Sequence, residues 1–330
     1  MKILIINNSK IPAVKYGGTE RVIWGLGKAL HQLGHEISYL VAKDSYCSFA
    51  KNIYEYNDKE DLNKQIPADI DVVHLNFQPT TILQKPYITT FHGNVNNVFI
   101  FDKNTIFISA NQAKRFHGEV YVHNGLDWDE YEKPDFNLQK EYFHFLGDAA
   151  WKVKNVKGAI AITKKAKEKL IVLGGHRLNL NMGIRLTLDT HVCFKGQVND
   201  KGKSKYLKRS KGLIFPVLWH EPFGLAIIES LYFGCPVFGT TFGSLPELVN
   251  KEVGFLSNSI SALAKSLGSV SYFNPKHCHE YALSFFNAKT MALNYIKLYE
   301  TVMNNQPIHA ANPYFPKEEI ISVKKFSMDI

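Results

Sequence analysis

Cysteine is scarce in this chain: there are four in 330 residues, Cys47, Cys193, Cys235 and Cys278. None belongs to a C-x-x-C pair or stands at ligand spacing from a histidine. A disulfide scaffold and a structural zinc site are therefore not expected, and the usage suits a reducing cytoplasm. No segment reaches the length of a membrane span. The apolar run that follows Met1 and Lys2 is too short for a signal peptide. The dinucleotide fingerprint G-x-G-x-x-G is missing from the first strand-to-helix turn. Gly17 and Gly18 are adjacent there and no third glycine follows at the right offset, which counts against nicotinamide binding. There is no repeat at solenoid spacing and no low-complexity tract.

What is present describes a globular protein. Hydrophobic residues make up 45% and charged residues 21% of the sequence, and the length suffices for one large domain or two medium ones. The net charge is +9 and the pI near 9.1. The excess lysine is dispersed apart from two runs, Lys164–Lys169 and Lys201–Lys211. Both runs read as solvated surface rather than as a nucleic-acid interface. The basic balance leaves room for attraction to an anionic substrate or for peripheral association with an anionic membrane.

The order of elements is that of an α/β protein with parallel sheets. Ile3–Ile6 is a continuous apolar run of the buried-strand type. Val22, Ile23, Leu26, Ala29, Leu30 and Leu33 then share one helical face that stops at Gly34, and Ile37–Val41 is the next strand. Asp71–Leu75, Tyr87–Phe91, Thr105–Ser109 and Val120–Val122 follow as strands, with a turn at Asn124-Gly125. His92 ends the Tyr87–Phe91 strand, where open α/β sheets hold ligands; a loop histidine bonded to its surroundings is the equal alternative. A polar linker over Tyr131–Gln139 separates this half from a second one. There, strands are expected at Tyr142–Leu146, Lys169–Leu173, Val192–Phe194, Leu213–Leu218 and Pro236–Gly239. Helices are expected at Ala159–Ala166, after Gly243, and at Ala288–Met303. The domains are thus 1–138 and 139–304, with a tail over 305–330 that packs back on the first.

Chemistry concentrates between Leu218 and Val237. Glu221 and Glu229 stand on either side of a helix start opened by Pro222, Phe223 and Gly224. The unpaired amides of such a start, with the helix dipole behind them, form a site for phosphate. Glu229 lies about five residues inside the helix, roughly 8 Å along its axis. One carboxylate before the anion site and one beyond it suit a diphosphate flanked by two sugars. Each could also be an ordinary helix or surface acid. The Asp-x-Asp pairs at Asp69 and Asp127 precede or lie outside strands and read as turns, not metal ligands. Trp151 and Trp219 read as packing residues, with a sugar platform as the lesser option.

The stretch Glu221-Pro-Phe-Gly-Leu-Ala226, followed by Gly234-Cys-Pro-Val237 and Gly243-Ser-Leu-Pro-Glu-Leu-Val249, resembles glycosyltransferase family 4. Earlier landmarks in the same order are Gly17-Gly18, Phe91-His92-Gly93, Val122-His-Asn-Gly125, Lys154 and Gly174-Gly175. The resemblance implies a GT-B architecture, two Rossmann-like parallel-sheet domains facing across a cleft. It implies a retaining, metal-independent hexosyltransferase that needs no cofactor beyond its co-substrate, a UDP- or GDP-linked sugar. The acceptor would be a glycan or a lipid-linked glycan of the cell envelope, handled in the cytoplasm or at the inner face of the membrane. By the same resemblance Glu229 accepts from the ribose hydroxyls and Glu221 faces the transferred sugar. The amides of Phe223, Gly224 and Leu225 line the sugar and diphosphate, and Gly17 and Gly18 approach the phosphates. His92 stands by the reacting sugar, and Lys154 neutralises the leaving diphosphate.

One departure stands out. Where the family carries an arginine after the first strand of the second domain, this chain reads Gly147-Asp148, and Lys152, Lys154 and Lys157 follow. Cation-pair stabilisation of the leaving group then depends on this lysine loop, with Asp148 turned to solvent or bridging a lysine. The departure keeps two alternatives open, a GT-B nucleotide-sugar epimerase and a catalytically silent sugar-nucleotide binding protein.

Overall fold

The computed structural model describes residues 1–12, 17–317 and 327–329. The chain divides into two compact units, Met1–Trp128 with Phe286–Ile321 and Asp129–Phe285 with Ser322–Ile330.

The first unit opens with β1 (Lys2–Ile6), α1 (Gly18–Gln32), β2 (Glu36–Val41), β3 (Asn52–Glu55) and α2 (Leu62–Gln65). It continues with β4 (Val72–Leu75), β5 (Tyr87–Phe91), β6 (Phe99–Ile100), β7 (Thr105–Phe107) and α3 (Ala110–Arg115). Six parallel strands form its sheet in the order β3-β2-β1-β4-β5-β7. Ile3, Leu4, Ile5 and Ile6 are fully buried, as a strand covered on both faces requires. The apolar face of α1 packs inward through Val22, Ile23, Leu26, Ala29 and Leu30. Past its end Gly34 takes φ +88°, a left-handed conformation that suits glycine.

The second unit contains β8 (Tyr142–Leu146), α4 (Val156–Lys165), β9 (Leu170–Leu173), β10 (Leu178–Asn179), β11 (Arg185–Leu186), β12 (Val192–Phe194) and α5 (Asp200–Leu207). Then come β13 (Ser210–Phe215), α6 (Leu225–Tyr232), β14 (Val237–Gly239), α7 (Leu245–Leu248), β15 (Gly254–Leu256), α8 (Ile260–Leu267) and α9 (Pro275–Phe285). Its six-stranded parallel sheet runs β12-β9-β8-β13-β14-β15. Phe143, Phe145, Val172, Ile214 and Phe238 form the core with Val156, Ile160 and Leu263 from the helices. The chain returns to the first unit with α10 (Ala288–Met303) and β16 (Tyr314–Phe315).

Several boundaries differ from the sequence expectation. The second unit begins at Asp129, not 139, and ends at Phe285, because α10 packs on α1 and β5 of the first unit. Polar groups inside the first sheet select this helix. His74 on β4 bonds Tyr299 through Nδ1 and Thr90 through Nε2, both at 2.8 Å, and Thr90 shares a 2.9 Å bond with Tyr295. All four side chains are buried, so each needs its partner. Asn124-Gly125 is no turn but passes close alongside Asn287, where a Cβ on Gly125 would meet the Asn287 carbonyl oxygen at 2.2 Å. Val120–Val122 makes only an isolated bridge, Tyr121 with Phe107. The tail splits. Residues 305–317 lie on the first unit, with β16 antiparallel to β6 and Phe315 among Phe101, Phe107 and Phe116. Asp329, by contrast, bridges Ser259 in the second unit. The rest of the expected tail, residues 318–326 and 330, lies outside the described residues.

Burial of the His74 imidazole pulls its pKa from 6.5 down to about 3. The ring is neutral in the folded chain but becomes protonated in the unfolded chain below about pH 6.5. This contribution to stability is therefore lost as pH falls from about 6.5 towards 3. Replacing His74 with Gln should flatten the dependence between about pH 6 and pH 4 by roughly 1.4 kcal/mol per unit. Urea titrations across that range measure the slope, and an unchanged slope would contradict a neutral buried imidazole.

Candidate functional site

The site grows from the connection between β13 and α6. Gly224, at φ +91°, turns the chain into α6 as its N-cap. The connection is pinned from one side by Gly243-Ser244, where Ser244 donates its amide to the Glu221 carbonyl at 3.0 Å and its hydroxyl to the Phe223 carbonyl at 2.7 Å. A Cβ on Gly243 would lie 2.2 Å from the Glu221 nitrogen, so only glycine allows this approach. From the other side comes the loop after β8. Asn155, left-handed at φ 57°, caps α4 through the Gly158 amide and donates from Nδ2 to the Pro216 carbonyl at 2.8 Å. Leu218 donates its amide to the Val153 carbonyl at 2.7 Å. The two loops are thereby stitched together beneath the side chains that carry the charge.

Glu221 is buried, and its Oε2 accepts from Lys154 Nζ at 2.6 Å and from Trp219 Nε1 at 2.7 Å. The Lys154 ammonium stands 4.9 Å from the Trp219 ring centre, 5.4 Å from Phe215 and 5.8 Å from Trp151. An aromatic box thus holds the cation by attraction to the ring faces. Of the three loop lysines, Lys152 and Lys157 are exposed and Lys154 is the one turned onto the carboxylate. Asp148 is exposed and accepts the Ala150 amide at 2.9 Å, capping its own turn. Trp219 is more than a packing residue, since it donates to Glu221.

Glu229 is the fifth residue of α6 and is also buried. Its Oε1 accepts from the Tyr131 hydroxyl at 2.8 Å and from the Lys203 ammonium. Lys203 lies in the basic run expected to be solvated surface, yet it is buried, with its ammonium 5.5 Å from the Tyr131 ring. Lys203 is not distinguishable in the sequence, because one inward lysine in KGKSKYLKRSK has no signature of its own. Tyr131 sat in a stretch read as linker. Behind α6, His144 on β8 bonds Ser210 at 2.7 Å and Ser230 at 2.9 Å, and burial lowers its pKa to about 3. This neutral imidazole ties α6 to two strands.

The residues expected at the site thus fall in two groups. Lys154, Glu221, Phe223, Gly224, Leu225 and Glu229 are brought together in the second unit. Gly17, Gly18 and His92 belong to the first. Gly17 caps and Gly18 begins α1. His92 bonds Asn76 through Nε2 at 2.9 Å, and desolvation lowers its pKa to about 4, so near neutral pH it is uncharged. Among the described residues no group of three or more His, Cys, Asp or Glu could hold a metal ion. Asp69 pairs with Lys2 at 3.1 Å and Asp127 with Lys28 at 2.6 Å.

Removing one partner of a buried ion pair leaves the other charge uncompensated, at a cost of about 3–5 kcal/mol. Lys203→Met should therefore destabilise the protein by about that amount, and adding Glu229→Gln should restore much of the loss. Urea unfolding of the single and double variants measures this; strictly additive losses would show that the pair is not coupled.

Residues 127–278 match the family model described as "Glycosyl transferases group 1". No curated protein matches the chain in sequence. Among solved structures, AviGT4, a glycosyltransferase involved in avilamycin A biosynthesis, superposes with a TM-score of 0.75 at 19% identity, covering 92% of this chain and 98% of that one. Sucrose-phosphate synthase from Thermosynechococcus elongatus gives 0.70 at 18%, covering 92% and 100%. HepE from Anabaena, solved in complex with UDP and glucose, gives 0.65 at 15%, covering 91% and 100%. Together with its two six-stranded parallel sheets, these likenesses establish that the chain has the GT-B glycosyltransferase fold, with residues 127–278 matching glycosyl transferases group 1.

Proposed function

We propose that this protein transfers a hexose from a nucleotide-diphosphate sugar to a glycan or lipid-linked acceptor. The observation that carries the reading is the Lys154–Glu221 pair set at the start of α6, with buried Glu229 five residues into the same helix. A diphosphate at the α6 amides lies where the helix dipole favours negative charge. Lys154 supplies the further positive charge that departure of the diphosphate demands. In transfer, the bond between the anomeric carbon and the phosphate oxygen breaks and its electron pair stays on that oxygen. The acceptor hydroxyl oxygen bonds the same carbon, and its proton is taken up by the released diphosphate. Lys154, held in its aromatic box, stabilises the oxygen on which charge accumulates.

Glu221 is assigned to the hydroxyls of the transferred sugar and Glu229 to those of the ribose. Lys203 and Tyr131, which both donate to Oε1 of Glu229, hold that carboxylate in place within α6. The chemistry asks for no metal, since lysine and helix amides meet the developing charge. Retention at the anomeric carbon, a UDP or GDP donor, a role in cell-envelope polysaccharide and a cytoplasmic location rest on the family resemblance. HepE with UDP-glucose supports a UDP donor by analogy of fold. The first unit's contribution, Gly17, Gly18 and neutral His92, rests on the same resemblance. His92→Ala tests it separately from the donor residues.

Incubation with a panel of nucleotide sugars should release nucleoside diphosphate in the presence of an acceptor. Conversion of one sugar into another would indicate an epimerase, and binding without turnover a silent module. Lys154→Ala should lower kcat by about 10²- to 10³-fold, as loss of one stabilising donor does. Glu229→Gln, which keeps the side-chain shape, should weaken donor binding by about tenfold. Unchanged affinity in calorimetry would overturn the ribose assignment.

A further inference from the structure

Between β9 and β12 the second unit carries a hairpin, with Leu178 paired to Leu186 and Asn179 to Arg185. From Leu178 to Leu188 every second residue is apolar, and in the paired strands Leu178 and Leu186 share one face while Asn179 and Arg185 share the other. Leu178, Leu180, Met182, Ile184, Leu186 and Leu188 are each 54% to 81% exposed. Of the residues between them Arg185 and Thr187 are held to the body of the unit, while Asn181 and Gly183 are exposed at the tip. Arg185 is buried, donating to Thr187 Oγ1 at 2.8 Å and to the His176 carbonyl at 3.0 Å, with its guanidinium 5.0 Å from the Phe194 ring centre. Thr187 is also buried and donates its amide to the Arg177 carbonyl at 3.0 Å. Arg185 and Thr187 thus anchor the hairpin, while its six large apolar side chains stay exposed. Six exposed large apolar side chains within eleven residues mark an interaction site.

Charge selects the partner. Residues 148–211 contain sixteen Lys and Arg against four Asp and Glu, a net +12 within a chain whose total is +9. At the hairpin's base Arg177 is exposed, bonded to the carbonyls of Thr187 and Asp189. At its tip exposed Lys152 lies beside Gly183, where a Cβ would sit 3.4 Å from the lysine Nζ. A second copy of the chain would bring the same positive sector against this one. An anionic bilayer offers both an apolar layer for leucine, methionine and isoleucine and headgroups for the rim of cations. We propose that the 178–188 hairpin inserts its exposed apolar side chains into the interface of an anionic membrane. Docking there would hold the second unit at the surface where a lipid-linked molecule resides.

Vesicle binding is read without any nucleotide sugar, so its outcome is independent of the transfer reading. The full chain should co-sediment with vesicles of phosphatidylcholine and phosphatidylglycerol at least about tenfold more strongly than with phosphatidylcholine alone. High salt should reduce that preference. The triple variant Leu180→Ser, Met182→Ser, Ile184→Ser should lose about tenfold or more in vesicle binding while keeping the wild-type melting temperature. As a separate readout, Leu180→Trp should add tryptophan emission that brominated lipid quenches. Binding by the triple variant equal to wild type, or added emission that is not quenched, would overturn the proposal. So would a dimer, in sedimentation without vesicles, that the triple variant abolishes, since the hairpin would then join two copies.

Discussion

A carboxylate removed from water must have positive charge or hydrogen-bond donors against it, and the second unit meets that requirement twice. Glu221 has Lys154 and Trp219; Glu229 has Lys203 and Tyr131. The four partners come from four separate places: the loop after β8, the end of β13's apolar run, α5, and the irregular stretch after Trp128. Apart from Trp219, which lies two residues before Glu221, each partner fastens its carboxylate to a part of the chain many residues away. The α6 start is rigid because its neighbours are held by charge as well as by packing. The glycine at 243 and the left-handed Asn155 follow from the same requirement, since both let backbone come close enough to hold the carboxylate loop. In the site as proposed, the cation that keeps Glu221 buried is also the one that meets the phosphate, so one lysine has a structural and a chemical role.

Both units also use buried neutral imidazole as a connector. His144 ties α6 to β8 and β13, and His74 ties α10 to β4 and β5. In each case both ring nitrogens are bonded, which allows a polar side chain to sit in a core without charge. The consequence for the chain's path is large. α10 follows the second unit in sequence but packs in the first, because its Tyr295 and Tyr299 hydroxyls match groups inside that sheet.

The positive charge is equally uneven. Between residues 148 and 211 it exceeds the total for the chain, and three cations of that set, Lys154, Arg185 and Lys203, are committed inward. Arg177 and Lys152 stand at the base and tip of the hairpin, beside its exposed apolar side chains.

Much of this was legible in the residues. The continuous apolar runs at Ile3–Ile6 and Tyr142–Leu146 specify buried strands, and Ala288–Met303 specifies its helix with the boundaries observed. Glu221, Pro222, Phe223, Gly224 and Glu229 specify a helix start with an acid on each side. These are local properties, set by side-chain volume, backbone freedom and spacing, so sequence alone determines them. Elements whose pattern is weak were missed: β3 is a largely exposed edge, and α5 is mostly polar. Only the tertiary structure decided that α10 leaves the unit it follows and that Lys203 turns inward while Lys152 and Lys157 do not. It also decided that the apolar residues from Leu178 to Leu188 stay exposed while Arg185 and Thr187 are buried. Each outcome depends on which distant group supplies a hydrogen bond or a countercharge, and a linear pattern carries no record of that partner.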